Sequence, residues 1–492
     1  MLDLAVFTIY VATVLLIGRL TSRRIGTSDD FHLCGRSLGR VPAALSLAAT
    51  EFSGSGLIGG AGLAYALGVS GAYWNLTAVP AWILVGLTAT VTLRRLSLKT
   101  IPGYLGDRYG ISTRRLVAVL QTLEGIVFTA VQIQVSAISL HALFGVDRTL
   151  AACLVTAVFV AYTAMGGLWA VVWTDVLQYV ILMSGILIGL PLALAKIGGI
   201  DGLRQALPAA SFDPGRLGIM EPLAWMALCV YSYSTDQTYM QRVFASSDAK
   251  VARFAYVYTG VNYLIFGLCV MGMGMVAAVL LPGLPHQDEA LPTLIRDVLP
   301  AGLRSFFLTA ILATTMSTAS AWLAASSSLM VQDVYEPLAR RTLEQRPLLR
   351  ASRLVTVLIA ALSLLIALAA PGVVNAVVFS TLVAPAAVFG PMMLGLYWKR
   401  IDRRAGFWAM LVGAAAGVTS HLWLYGRIGG LLGAVHPLFF GPGLGLLVLL
   451  ALSAILRRTA PLYDDEASIS RLRRATNSLS PSSTPGSMGG ST

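Results

Sequence analysis

The chain has 492 residues, of which 56% are hydrophobic and only 12% charged, with a mean hydropathy of +0.75. That balance excludes a water-soluble domain and marks an integral membrane protein. The net charge of +12 does not point to nucleic acid, because the basic residues cluster between apolar runs, as membrane topology requires.

The first apolar run, within MLDLAVFTIYVATVLLIGRLTSRR, lacks a basic leader and a small-residue cleavage site, and its arginines follow it. It is expected to be a retained first helix with its N-terminus outside. A basic loop with Arg19, Arg23, Arg24, Arg36 and Arg40 follows, and is expected to face the cytoplasm.

Pro42 to Leu67, PAALSLAATEFSGSGLIGGAGLAYAL, is long enough to span a bilayer, yet Thr50, Glu51, Ser53, Gly54, Ser55 and Gly56 occupy its centre. A carboxylate and a Ser/Gly cluster at that depth are tolerated only where they line a cavity. The stretch is therefore predicted to be a broken helix that holds a solute.

Ala72 to Leu93 gives the next span, before a second basic loop carrying Arg94, Arg95, Lys99, Arg108, Arg114 and Arg115. On Leu116 to Leu143, Gln121, Glu124, Gln132, Ser136 and Ser139 fall near one helical face, which should look into a bundle. Glu124 is either a packed polar residue or a group on the permeation path. Thr149 to Met165 and Val171 to Leu194 flank a Gly166-Gly167 turn, and Asp175 is a second acid at membrane depth.

Leu223 to Phe244 repeats the pattern of the opening stretch, its apolar run being interrupted by Tyr231, Ser232, Tyr233, Ser234, Thr235, Asp236, Gln237 and Thr238. Paired interruptions in two halves of a chain point to an inverted-repeat transporter with its site near the midplane. Further spans fall at about Phe254 to Leu281, Phe306 to Val334, Leu354 to Ala370, Val373 to Trp398, Phe407 to Tyr425 and Pro437 to Leu456. The count is about thirteen, which with an external N-terminus leaves the C-terminus in the cytoplasm. Residues 457–492, rich in Ser, Arg and Pro, are expected to be a disordered tail.

In Leu312 to Tyr335, Ser317, Ser320, Ser327 and Ser328 form a hydroxyl stripe flanked by Thr314 and Thr318. Such oxygens either pack helices together or, with carbonyls of an unwound helix, bind a small cation. No CxxC spacing, histidine pair, HExxH, DxxD or GxSxG context is present to indicate a transition metal or an enzyme.

Seven segments together resemble the sodium/solute symporter family, which includes bacterial proline and sialic acid symporters and animal sodium/glucose and iodide symporters. They are DFHLCGRSLG (Asp30 to Gly39), GGAGLAYALG (Gly59 to Gly68), TIPGYLGDRYG (Thr100 to Gly110), GGLWAVVWTDVLQ (Gly166 to Gln178), DQTYMQR (Asp236 to Arg242), the run from Ile311 to Tyr335, and LGLYWKR (Leu394 to Arg400). The resemblance implies an all-α membrane protein with a five-plus-five inverted-repeat, leucine-transporter-like core. The first and sixth core helices would be discontinuous, with one extra helix before the core and two after it. The corresponding divisions are 1–39, 40–404, 405–456 and the tail.

The resemblance also implies Na+ as coupling ion, bound by the carbonyls of Ala49, Phe52 and Thr314 and the hydroxyls of Ser317 and Thr318. Asp175 and Ser320 match part of a second sodium site, but Ala321 stands where a further hydroxyl is expected. Thr50, Glu51, Ser53, Gly56, Asn75, Asp236, Gln237 and Tyr239 fall among solute-contacting positions. Glu51 is either the counter-charge of a cationic or zwitterionic solute, helped by Phe52, Trp74, Trp225, Tyr231 and Tyr233, or a carboxyl tied to unwound backbone or kept neutral by burial. Asp175 is expected to make a structural hydrogen bond to the eighth core helix, and Asp333 and Arg242 to pair at an inner gate. The expected partners are sodium, a small solute and plasma-membrane lipid, with no nucleic acid; the oligomeric state is not legible. The expected function is sodium-coupled import by alternating access of an amino acid or organic cation. A proton-coupled carrier, or a symporter of a monocarboxylate or sugar, is the alternative.

Overall fold

In the computed structural model, residues 2–298, 300–339, 344–369, 379–398, 401–424 and 435–456 are described. The tail from 457, and residues 373–378 of one expected span, lie outside them. Among the described residues, nine helical stretches are long and apolar enough to cross a membrane.

Two of those stretches are double. In Ser55–Arg95 the chain reverses at Gly68, where φ is +66° and a Cβ would lie 1.9 Å from the carbonyl oxygen of Ser211. The reversal brings the Trp74 Nε1 to Ser55 O at 3.2 Å and Asn75 Nδ2 to Gly56 O at 3.0 Å. Arg148–Ala195 bends at Gly167, where φ is +52° and a side chain would collide with Phe31 O. Tyr162 before the bend and Gln178 after it then converge, the first donating to Met316 O and the second to the Tyr10 hydroxyl.

We name the elements α1 (Leu2–Ser22), α2 (Ser28–Leu33), α3 (Arg40–Glu51), α4 (Gly60–Leu67), α5 (Ala78–Leu87), α6 (Ala89–Arg95), α7 (Ile101–Tyr109), α8 (Ile111–Phe144), α9 (Arg148–Ala195), α10 (Met220–Thr235) and α11 (Gln237–Ala245). They continue with α12 (Ala249–Leu280), α13 (Ala290–Val298), α14 (Ala301–Leu329), α15 (Gln345–Ala369), α16 (Pro385–Tyr397), α17 (Arg403–Thr419) and α18 (Pro437–Leu456). Counting α3/α4 and α10/α11 as one broken span each, and the halves of α9 separately, gives thirteen crossings among the described residues. Five run from α3 to the second half of α9, and five from α10 to α16. Because five is odd, the second set enters from the opposite side, which is what inverts it.

The short amphipathic helices α2, α7 and α13 were not foreseen, since each is shorter than a membrane-spanning period signal. The helix α14 is buried along nearly its whole length, between α8 and α9. By contrast α15 and α18 expose most of their surface, as lipid-facing helices do. The C-terminal pair α17/α18 packs through small residues: a Cβ on Gly441 would come 2.7 Å from Gly417 Cα.

The basic loops meet at one end of the bundle. Arg36 Nη2 donates to Ser97 O, Arg94 Nε to Ser246 O, Lys99 pairs with Asp29 at 2.6 Å, and Arg108 reaches Ile401 O. At the same end Leu38 N donates to Ala245 O, and Ser247 N to Leu38 O. The two broken spans are thus joined where one begins and the other ends.

Beside this seam His32 is buried, its Nε2 2.9 Å from Ser352 Oγ and its carbonyl accepting from Gln241 Nε2. Burial lowers its pKa from 6.5 to about 3, outweighing the attraction of Asp29. A depressed histidine pKa stabilises the fold fully above the unfolded value and loses that contribution as pH falls below about 6.5, by up to ~1.4 kcal/mol per pH unit. His32→Gln is expected to flatten the fall in thermal stability between pH 7 and pH 5, read by size-exclusion of heated detergent samples. An unchanged slope would remove His32 as its source.

Candidate functional site

The first broken span stops at Glu51, because Phe52 leaves helical geometry with φ −68° and ψ 57°. Ser53 follows as a single non-helical residue, and Ser55–Gly59 forms a wide π-helical turn before α4. The break is held by side chains: Gln132 Oε1 accepts from Gly54 N at 3.0 Å, the Ser53 hydroxyl accepts from Gly56 N, and Asn75 and Trp74 hold the carbonyls of Gly56 and Ser55. In the second broken span the interruption is confined to Asp236, with φ −71° and ψ 129°. It is narrower than the eight polar residues suggested, since Tyr231 to Thr235 stay helical and Thr235 Oγ1 and Ser234 Oγ bond back to carbonyls of their own turn.

One oxygen cluster joins α3 to α14. Ser317 Oγ lies 2.8 Å from Ala49 O and 2.7 Å from Thr314 O. Thr318 Oγ1 lies 3.0 Å from Thr50 O and 3.2 Å from Thr314 O. Four of the five expected sodium positions therefore meet, and Thr50 adds its carbonyl. The Phe52 carbonyl is not among these acceptors; Phe52 instead stacks its ring on Phe266, centroids 4.4 Å apart.

A cavity of about 60 Å3 adjoins this cluster, bounded by Glu51, Ser53, Ser55, Gly56, Thr318 and a wall of aromatics. Tyr233 Oη donates to Glu51 Oε1 at 2.5 Å, and the hydroxyls of Tyr239 and Tyr263 lie beside the same carboxylate. Trp82 stacks on Tyr233 at 4.0 Å, fixing the ring that holds Glu51. Glu51 is thus bound by tyrosines rather than by unwound backbone. Among the described residues, no lysine, arginine or histidine lines the cavity.

Of the other expected solute residues, Tyr239 lines the cavity. Thr50 turns its hydroxyl to Ser46 O, and Asn75 is occupied with Gly56 and with Tyr263. Gln237 secures the loop before α7 through Ile101 N and Lys99 O, and Asp236 lies on the basic side of the cavity. Tyr231 faces Phe389 instead. Trp82, Phe128 and Tyr263 were not singled out. Tyr256, Gly260, Tyr263 and Gly267 recur at helical spacing along one stripe of α12, and that stripe is the signal for Tyr263.

The ion pairs differ from those expected. Asp175 Oδ2 accepts from Arg242 Nη2 at 2.9 Å and from Ser46 Oγ at 2.6 Å, linking the two broken spans rather than the eighth core helix. Ser320 bonds to Ser317 O, so the two residues of the second sodium match have separate partners. Asp333 pairs not with Arg242 but with Arg114, at 2.6 Å, and accepts from Thr100 Oγ1. These bonds close the basic end. At the other end a cavity of about 770 Å3 opens, bordered by Gly54, Ile58, Val135, His141, Asp288 and Arg296, so it reaches the broken span.

An inverted five-plus-five bundle with two broken spans around an oxygen cluster is a transporter architecture. The sodium:solute symporter family matches residues 31–413, and the chain belongs to that family. It is 29% identical to the high-affinity proline transporter PutP of Bacillus subtilis (strain 168), over 87% of this chain and 95% of the relative. It is 26% identical to sodium/glucose cotransporter 4 of Danio rerio, over 94% of this chain and 79% of the relative. Among solved structures, the substrate-bound outward-open state of a Na+-coupled sialic acid symporter superposes with a TM-score of 0.82 at 22% identity, covering 94% of this chain and 98% of the other. Mhp1, a nucleobase-cation-symport-1 family transporter, in a closed conformation with bromovinylhydantoin bound, gives 0.63 at 15% identity, over 90% and 98%. The chain is therefore a multi-pass membrane protein of a sodium-coupled symporter family.

Removing one member of a buried ion pair leaves an uncompensated charge, at a cost of ~3–5 kcal/mol. Asp175→Asn and Arg242→Gln are each expected to lower thermal stability, equally in sodium and in potassium, and the double variant to regain part of the loss. A loss confined to sodium buffer would instead make Asp175 an ion ligand.

Proposed function

We propose that this protein imports a small organic solute bearing an amine or quaternary ammonium group, an amino acid or organic cation, driven by inward sodium movement. The observation that carries this reading is the Glu51 carboxylate, set in an aromatic cavity with no basic side chain in its lining among the described residues. Carboxylate and aromatic faces both attract a cation. A monocarboxylate would meet Glu51 without a compensating base, and a neutral sugar would make no use of its charge.

Sodium sits between α3 and α14, at the carbonyls of Ala49, Thr50 and Thr314 and the hydroxyls of Ser317 and Thr318. Bound there, it substitutes for the hydrogen bonds those hydroxyls now make and fixes the end of α3, whose next residue is Glu51. Each ligand thereby favours the state the other needs. The basic end faces the cytoplasm, where Arg114, Asp333 and Thr100 form the inner seal, and the 770 Å3 cavity is the external vestibule. Residues 40–404 are the transport core, preceded by α1 and followed by α17 and α18. At a potential of about −100 mV each sodium contributes ~2.3 kcal/mol, close to fiftyfold accumulation before its own gradient is counted.

Proteoliposomes carrying the purified chain are expected to accumulate labelled amino acids or quaternary amines only under an inward sodium gradient; equal uptake in potassium would reject the coupling. Ser317→Ala and Thr318→Ala are expected to raise the sodium concentration for half-maximal uptake about tenfold or more, the equivalent of ~1.4 kcal/mol. Glu51→Gln is expected to abolish binding of the cationic solute in a thermal-shift screen while sodium alone still stabilises the protein. Retained solute binding would remove Glu51 as its counter-charge.

A further inference from the structure

On the basic side of the solute cavity two more acids are buried, each about 1% exposed: Glu124 on α8 and Asp236 at the break between α10 and α11. They are close enough to interact electrostatically. None of their four carboxylate oxygens has a hydrogen-bond partner among the described residues. The hydroxyls of Ser232 and Thr235 lie beside Asp236 without the geometry of a hydrogen bond to it. Arg242 and Arg114, the nearby bases, are committed to Asp175 and Asp333.

The break itself leaves these acceptors unsatisfied, and a third side chain beside it adds another. Asp236 occupies the N-cap of α11, where an aspartate ordinarily accepts from the helix amides, yet its side chain makes no such bond. Gln121, one turn before Glu124, anchors its amide nitrogen on Thr235 O at 2.7 Å. Its own oxygen, in a residue 2% exposed, is left without a donor. Five acceptor oxygens on three neighbouring side chains are thus left without a protein donor among the described residues. Buried carboxylates at membrane depth need a compensating positive charge.

We propose that Glu124, Asp236 and the Gln121 oxygen form a second inorganic-cation site, distinct from the cluster on α14, which holds a sodium ion or a proton. It lies between the solute cavity and the Arg114–Asp333 seal, one turn of α8 from Phe128 in the cavity wall. Its meaning for transport rests on the sodium-coupled reading above. The charged and titratable groups facing it are Glu51, Tyr239 and Tyr256, with the Asp175–Arg242 and Arg114–Asp333 pairs behind them. A proton in this site and a sodium ion compete for the same oxygens, so acidification displaces sodium from it and not from the α14 cluster.

The test uses the full chain in detergent, with radioactive sodium binding at saturation and infrared absorption of protonated carboxyls, each at pH 8 and pH 5.5. Glu124→Gln and Asp236→Asn keep side-chain shape, and either one that retains wild-type size-exclusion behaviour serves. Ser317→Ala isolates the α14 cluster, so loss of sodium there is separable from loss at the acids. If the site takes sodium, wild type binds one ion more than Glu124→Gln at pH 8, and the excess is lost at pH 5.5. If it takes a proton, sodium stoichiometry is equal, and wild type shows a protonated-carboxyl band that grows on acidification and is missing from Glu124→Gln. Equal sodium binding with no such band, or with a band that does not respond to pH, overturns the proposal.

Discussion

A helix that stops halfway through a bilayer leaves amide and carbonyl groups that lipid cannot satisfy, and everything at the centre of this molecule answers that constraint. Around Phe52 and Ser53 the answer comes from three directions: Gln132 on α8, Asn75 and Trp74 from the returning span, and the Ser317 and Thr318 hydroxyls on α14. The groups that repair the backbone are also those that can bind an ion. A hydroxyl shared between two carbonyls, as Ser317 is, exchanges a modest hydrogen bond for cation coordination without moving the chain.

The second break is repaired differently. The Thr235 carbonyl takes the Gln121 amide, the Tyr233 carbonyl takes the Tyr256 hydroxyl, and the Asp236 side chain supplies no cap. Around both breaks the charges are sorted. Asp175 and Arg242 neutralise one another and link the broken spans, Arg114 and Asp333 seal the basic end, and Glu51, Glu124 and Asp236 have no basic partner among the described residues. A wholly buried pair contributes little net stability. What the Asp175–Arg242 pair adds is a fixed relation between α3, α9 and α11.

The architecture was legible because membrane burial writes itself in length and hydropathy, and because polar residues inside apolar runs have few permissible explanations. Both breaks, the glycine turn at Gly167, and the meeting of Ala49, Thr314, Ser317 and Thr318 follow from that logic and from family resemblance. Partner choice was not legible. Asp333 was assigned to Arg242, and Asp175 to the eighth core helix, because spacing along one chain does not reveal which of several helices faces a carboxylate. Asn75 and Gln237 fall among solute-contacting positions in the sequence because they are polar at cavity depth. In the structure both bond to backbone, at Gly56 O and Ile101 N, partners that spacing along the chain does not reveal.

The cavity beneath Glu51 has about 60 Å3, room for a few waters and too little for an amino acid. On the function proposed above, a guest of that size would have to part Tyr233, Tyr239 and Tyr263 from the carboxylate and supply donors in their place. Selection on that reading would work by exchange: molecules with enough donors to compensate the displaced tyrosines would be admitted, and a guest too bulky for the fence to close behind it would hold the carrier ajar as an inhibitor.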